Sequence, residues 1–219
     1  MKILIVYAHP EPSSYTGHLK NVAVELFENK GHEVLVSDLY AMDFKATADR
    51  HDFLNLKDPD SVNFQREQRH AMNSSSFSPD IVAEQEKILW CDLMILQFPL
   101  WWFSMPAIMR GWVDRVFGWG FAYGRGRWYS KGPLAGRKSL CAISIGGLDT
   151  QYVPRGINGD IERVLWPIQN GILNFCGFEV LPPFLCYGLT KSSEEERVRG
   201  VEDYRQYVDG IEELKPLKF

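Results

Sequence analysis

The sequence predicts one doubly wound α/β domain built around a parallel sheet, and three observations carry that prediction. Apolar runs of strand length at residues 3–6, 92–96 and 140–145 lack the in–out alternation of a half-exposed strand, as expected of parallel strands covered on both faces. Stretches with apolar residues at helical spacing lie between them. Each of these strands ends in a loop rich in proline, glycine or aromatic residues, and in open α/β sheets ligands lie against the carboxyl ends of the strands.

The first strand, 3–6, opens into a turn rich in proline and hydroxyls that carries His9, Ser13, Ser14, Tyr15 and Thr16. A helix follows, with Leu19, Val22, Ala23, Leu26 and Phe27 on one face and Gly31 at its end, and a second strand covers 33–37. The hydroxyls at this helix start suit a phosphate, because free backbone N–H groups and the positive dipole end lie there; ordinary helix capping also explains them, and more simply, since any helix start favours Ser or Thr. His9 is either a phosphate partner or a solvated loop side chain. Neither GxGxxG nor GxxxxGK[ST] is present, which argues against a Rossmann dinucleotide site and a P-loop.

Residues 41–78 are polar and serine-rich, and are expected to form a long functional or mobile connection. Ser78 caps a helix with Pro79 at its first position, which leads through Ile81, Val82, Ile88 and Leu89 into the central strand. That strand ends at Gln97-Phe98-Pro99-Leu100-Trp101-Trp102-Phe103, an apolar shelf or, alternatively, plain core. Ser104 is expected to cap the next helix, with Ile108, Trp112 and Val116 inward and Arg110, Asp114 and Arg115 outward. The stretch 121–129 mixes glycine, arginine and aromatics, as an exposed stacking surface or a simple surface excursion would. The fourth strand ends in Gly146-Gly147, where backbone can approach a flat ligand. Asp160 starts a helix that Pro167 must kink or split, 178–181 forms the fifth strand, and 192–214 is an amphipathic helix with Val198, Val201, Tyr204, Tyr207 and Val208 toward the core.

Composition narrows the class. A chain of 219 residues with 45% hydrophobic content can bury a sizeable core, and a net charge of −4 offers nucleic acid or an anionic membrane no electrostatic attraction. The four cysteines, Cys91, Cys141, Cys176 and Cys186, have no metal-ligand or redox spacing, which predicts reduced structural thiols, no metal site and a cytoplasmic protein. No segment approaches the ~18 uninterrupted apolar residues of a membrane span and no leader pattern opens the chain, so a soluble, unprocessed protein is expected.

Several motifs then occur together and in order: Ser37-Asp38-Leu39-Tyr40-Ala41-Met42, Ser78-Pro79-Asp80-Ile81, Gln97-Phe98-Pro99-Leu100, Trp166-Pro167-Ile168-Gln169 and Phe175-Cys176-Gly177-Phe178. On these the chain resembles the flavin-dependent NAD(P)H:quinone oxidoreductases, the DT-diaphorase family. The resemblance implies a flavodoxin-like fold with a five-stranded sheet of order 2-1-3-4-5 and helices on both faces, covering 1–219 as one domain without the C-terminal extension of the longest members. It implies FAD rather than FMN as cofactor and NAD(P)H as co-substrate, with hydride passing to N5 and on to a quinone in a ping-pong cycle. His9, Ser14, Tyr15 and Thr16 would hold the pyrophosphate region, with Gln65 nearby and Arg197 at the adenine end. Pro99, Leu100, Trp101, Trp102 and Phe103 would bear the isoalloxazine, with Ser144, Ile145, Gly146 and Gly147 at its pyrimidine edge. Tyr152 would stabilise the reduced ring beside Gly146. Asn158 stands where NAD(P)H-using members carry a histidine, as in the relative that prefers dihydronicotinamide riboside. Tyr123, Arg125, Trp128 and Phe175 would line the substrate pocket, Arg125 in place of a family tyrosine and Trp128 in place of a methionine. A homodimer with shared pockets is implied. A regulatory role on a potassium-efflux transporter is the alternative from another class.

Overall fold

The computed structural model describes residues 1–219. In chain order the elements are β1 (Lys2–Tyr7), α1 (Tyr15–Asn29), β2 (Glu33–Asp38), α2 (Phe64–Ser74), α3 (Pro79–Trp90), β3 (Leu93–Pro99), α4 (Ala107–Val116), β4 (Lys138–Ser144), α5 (Ile161–Ile168), β5 (Glu179–Val180), β6 (Phe184–Cys186) and α6 (Glu194–Asp209). The sheet runs β2-β1-β3-β4-β5, the order that the resemblance implies, and every pairing is parallel. All seven residues of β3 are buried, which is why its sequence shows no alternation.

Successive side chains of each strand point to opposite faces, and two cores result. Leu4 and Val6 of β1 join Met94, Leu96, Cys141 and Ile143 in a core covered by α3, α4 and α5. Ile3, Ile5 and Tyr7 join Ile95, Leu140 and Ala142 in a second core covered by α1 and α6. Because β1 leads to β2 on one side and borders β3 on the other, the strand order reverses at β1, and the loops after β1 and β3 diverge there into a crevice. Pro99 pairs with Ser144, so β3 and β4 end level with one another, and Tyr7 pairs with Gln97, so β1 ends two residues before them. No helix is long and apolar enough to cross a membrane.

Five details depart from what the sequence suggests. The connection after β2 is packed rather than irregular: it contains α2, capped by the Asn63 side chain on the Arg66 N–H, and a core in which Phe53, Ala71, Phe77 and Ile81 are buried. The helix escaped detection because its inward positions hold Glu67 and Gln68, both buried, where an apolar stripe would be expected. Glu67 accepts from the Lys57 N–H at 2.6 Å, and Gln68 Oε1 accepts from the Trp119 N–H at 3.1 Å.

Arg115 is not on the outer face of α4 but 2% exposed, donating to Asp52 Oδ1 at 2.9 Å and pairing with Asp80 at 2.7 Å. Ser104 does not cap α4, which begins after Pro106; its backbone instead exchanges two hydrogen bonds with Trp101. The fifth sheet position is shared by β5 and β6, split by Pro182-Pro183, which lack the N–H groups a continuous ladder needs. Val198 of α6 is 61% exposed, whereas Tyr204 and Val208 are buried. Pro167 is the penultimate residue of α5, which gives way at Gln169–Asn174 to a wider π-helical segment, so the helical region is divided beside the proline as its sequence suggests.

Candidate active site

The shelf after β3 is a tight turn. Trp101 N–H donates to Ser104 O at 3.0 Å and Ser104 N–H to Trp101 O at 2.9 Å. The two residues between, Trp102 and Phe103, have φ of 50° and 58°, a left-handed pair that a type I′ turn requires and that bulky residues adopt only at a cost. The strain keeps large aromatic surface outward: Trp101 is 41%, Phe103 48% and Trp102 95% exposed. Pro99 is buried and Leu100 half-buried, its N–H held by Ser144 O at 2.9 Å, so the shelf is tied to the end of β4. The aromatics are therefore a surface and not core, which resolves the two readings of this stretch.

Beside the shelf, the β4 loop supplies Gly146 and Gly147. A Cβ on Gly146 would sit 2.6 Å from Thr190 Oγ1, and one on Gly147 would sit 3.1 Å from Tyr152 Cε2 and 3.6 Å from Asn158 Nδ2. Only glycine lets these backbones pass so near their neighbours. Tyr152 ends a short 3₁₀ turn, its ring 6.3 Å from that of Phe103 and 5.9 Å from that of Tyr187. Asn158 is half-buried and its N–H donates to Gln151 O at 2.9 Å. The fold thus gathers Phe103, Gly147, Tyr152 and Asn158 from two loops. Tyr187 and Thr190 were not visible in the sequence; both follow β6, and only recognition of that three-residue strand would have placed them at a strand end.

On the other side of the crevice, the Ser14 side chain caps α1 by accepting from Gly17 N–H at 3.1 Å, and Ser14 O accepts from His18 N–H. The amides of Tyr15 and Thr16, in the first turn, have no intrahelical acceptor. The Tyr7 hydroxyl, buried at the same end, has no hydrogen-bond partner, and burial raises its pKa above the ordinary phenol value. Thr16 Oγ1 and Ser144 Oγ are 2.6 Å apart, joining α1 to β4 under the crevice. His9 Nδ1 accepts from Glu11 N–H at 3.0 Å, with its ring 5.9 Å from Trp101. Tyr15 donates to Arg197 O at 2.9 Å, and Arg197 donates through Nε to Ser192 Oγ at 3.1 Å, so Arg197 borders Tyr15 from α6.

The remaining expected residues form separate groups. Tyr123, Tyr129 and Phe175 cluster at ring separations of 5.5–6.0 Å, with Trp128 exposed next to them in sequence. Gln65 lies on α2, not on an irregular loop, in a cleft with Arg66 and Arg69. Arg125 donates to Asn73 Oδ1 at 3.0 Å and lies 5.4 Å from the Trp119 ring. All four cysteines are buried and unbridged, and burial pushes the thiols of Cys91, Cys141 and Cys176 up to about 12, as inert core residues require. No group of three His, Cys, Asp or Glu side chains could hold a metal ion.

Comparison with known proteins finds relatives over the length of the chain. The profile of a family described by its flavodoxin-like fold matches residues 1–208. NAD(P)H dehydrogenase (quinone) 1 of Cavia porcellus is 43% identical over 219 residues, covering 100% of this chain and 80% of the relative. Ribosyldihydronicotinamide dehydrogenase (quinone) of Homo sapiens is 43% identical over 217 residues, covering 99% of this chain and 94% of the relative. Among solved structures, a Klebsiella pneumoniae protein assigned as a quinone reductase superposes with a TM-score of 0.97 at 44% identity, covering 100% of this chain and 88% of that one.

Proposed function

The chain belongs to the flavodoxin-like family and, within it, to the NAD(P)H quinone oxidoreductases, and on that premise we propose that it carries FAD and transfers two electrons from NAD(P)H to a quinone. The observation that carries the reading is the strained, outward aromatic turn at Trp101–Phe103 set against Gly147, Tyr152 and Asn158. Flat aromatic surface bordered by bare backbone suits a flat, conjugated ring system.

The residues present fit a flavin dinucleotide. The Tyr15 and Thr16 amides and the unpartnered Tyr7 hydroxyl are donors suited to a pyrophosphate. Arg197 lies beyond them, next to Tyr15, so the run of suitable groups is longer than a mononucleotide needs. When bound, FAD supplies the ring that accepts a hydride at N5 from the nicotinamide and passes it to the quinone in a ping-pong cycle. Trp101 and Phe103 would stack on it and exclude water. The Tyr152 phenol would hold or deliver a proton at the edge by Gly147. The Asn158 amide would hydrogen-bond there without taking up a proton.

The flavin is identified by acid precipitation and chromatography, and turnover by menadione reduction. We expect FAD, and activity with NADPH and NADH. Recovery of FMN alone, or purified protein that neither holds nor binds flavin, overturns the assignment. Asn158 favours a second reading of the donor, dihydronicotinamide riboside, which the name of the Homo sapiens relative also supports. Comparing the three donors under the same conditions separates the two.

A further inference from the structure

We propose that a cationic cleft along α2 binds the phosphates of a nucleotide; only the identity of that nucleotide, the hydride donor, rests on the reductase reading above. The cleft, of roughly 350 Å³, is walled by Lys57, Gln65, Arg66, Arg69, His70 and Asn73, with no carboxylate and no apolar residue lining it. Gln65, Arg69 and Asn73 are four residues apart along α2 and so form one row on its surface.

The wall is rigid. Arg69 lies 4.4 Å and Arg125 5.4 Å from the centroid of the same Trp119 ring, and Arg125 is further held by Asn73 at 3.0 Å. Trp119 is 7% exposed, and its backbone N–H is fixed by Gln68. Of the cations that line the cleft, Arg66 pairs with Asp58 and Glu67. Arg69, Arg125 and Lys57 have no such partner, although the chain as a whole carries a net charge of −4. A phosphate in the cleft would accept charge-assisted hydrogen bonds from guanidiniums, and Arg125, held beside the cleft by Asn73, adds to the positive potential there. Their planar forks suit phosphate oxygens.

The occupant follows from the loop that bears Arg125. Two residues earlier the same loop holds Tyr123 against Phe175, ring centroids 6.0 Å apart, so one short segment links an aromatic cluster to the cationic cleft. A dinucleotide donor has an aromatic ring at one end and phosphates further along; the uncharged riboside has only the ring. The cleft therefore discriminates between donors, and Arg69 is a specificity-determining residue for nucleotides.

Calorimetric titration of the flavin-loaded protein with ADP, 2′,5′-ADP and inorganic pyrophosphate tests this, in the parent, in Arg69→Gln and in Arg69→Gln/Arg125→Gln, with circular dichroism as the control for folding. The two nucleotides are expected to bind the parent and to weaken roughly tenfold on loss of Arg69, the ratio that one charge-assisted hydrogen bond supports, and further in the double variant. The ratio of KM for NADPH to KM for dihydronicotinamide riboside should rise by about the same factor. A larger change for NADPH than for NADH makes the 2′-phosphate the group held, and an equal change makes it the pyrophosphate. Absence of nucleotide binding, equal affinity in parent and variants, or pyrophosphate binding as tightly as ADP overturns the proposal. Nucleotide binding that depends on Arg69 in a protein with no quinone reduction keeps the site and removes the reductase reading; quinone reduction with Arg69-independent binding does the reverse.

Discussion

At the scale of single residues, Tyr152 and Asn158 would divide the work at the flavin edge. Tyr152 carries the only dissociable proton of the pair, and its ring is held between Phe103 and Tyr187. Tyr152→Phe keeps that packing and removes the proton, so kcat should fall about 10-fold to 100-fold, at or below the lower end of the ~10²–10⁴ that general acid–base groups contribute, because water can partly replace the phenol. Flavin content should not change, which absorbance of the purified variant checks. Asn158→His introduces a group that titrates near pH ~6.5. Stopped-flow reduction by NADPH should become faster and gain a pH dependence centred there; an unchanged, pH-independent rate would mean that position 158 does not reach the reacting edge.

At the scale of elements, the segment between β2 and α3 is held down by charge. The Asp52 carboxylate, 1% exposed, receives Arg115 Nε at 2.9 Å and Lys45 Nζ at 3.1 Å, and Arg115 also donates to Lys45 O. Breaking such a pair from one side leaves an uncompensated buried charge, so Arg115→Met should lower unfolding free energy by about 3–5 kcal/mol in denaturant titrations. Replacing Arg115 and Asp52 together with apolar residues should restore much of that loss. The same cluster contributes a pH dependence. Burial alone would raise the Asp80 carboxyl, but the Arg115 guanidinium and the Ser78 hydroxyl outweigh it and hold its pKa below the ordinary 3.8. The hydrogen bond from Lys45 lowers Asp49 from 3.8 to about 2. Carboxyls with depressed folded-state pKa values contribute stability that is present above the unfolded value and lost as pH falls through the folded one. Stability should therefore decline from about pH 4 toward pH 2, and Asp49→Asn with Asp80→Asn should flatten that decline in acid titrations followed by circular dichroism.

At the scale of the molecule, the aromatic turn at Trp101–Phe103 and the cluster of Tyr123, Tyr129 and Phe175 form two separate groups in one chain. We propose that a two-fold dimer brings the second group of one protomer to the first group of its partner, completing each substrate pocket. Sedimentation at micromolar concentration should give a dimer, and Phe175→Asp should yield monomers that retain flavin and have lost most quinone turnover. A fully active monomer would show that each chain closes its own pocket.

The sequence by itself determined the parallel sheet, because strands buried on both faces must be continuously apolar, as residues 3–6, 92–96 and 140–145 are. It also marked the strand-end loops, since Pro99, the three aromatics after Leu100 and Gly146-Gly147 are costly or unusual choices that show without any partner. The family motifs supplied Tyr152 and Asn158, whose meeting beside Gly147 local pattern could not foretell. Only the tertiary structure decided the segment 41–78, the burial of Arg115 and the cationic row on α2. In each, polar side chains are buried or aligned by partners distant in sequence, Asp52 for Arg115 and Trp119 for Arg69. Hydrophobic periodicity records which residues avoid water and is blind to a charge that leaves water because another charge is waiting for it.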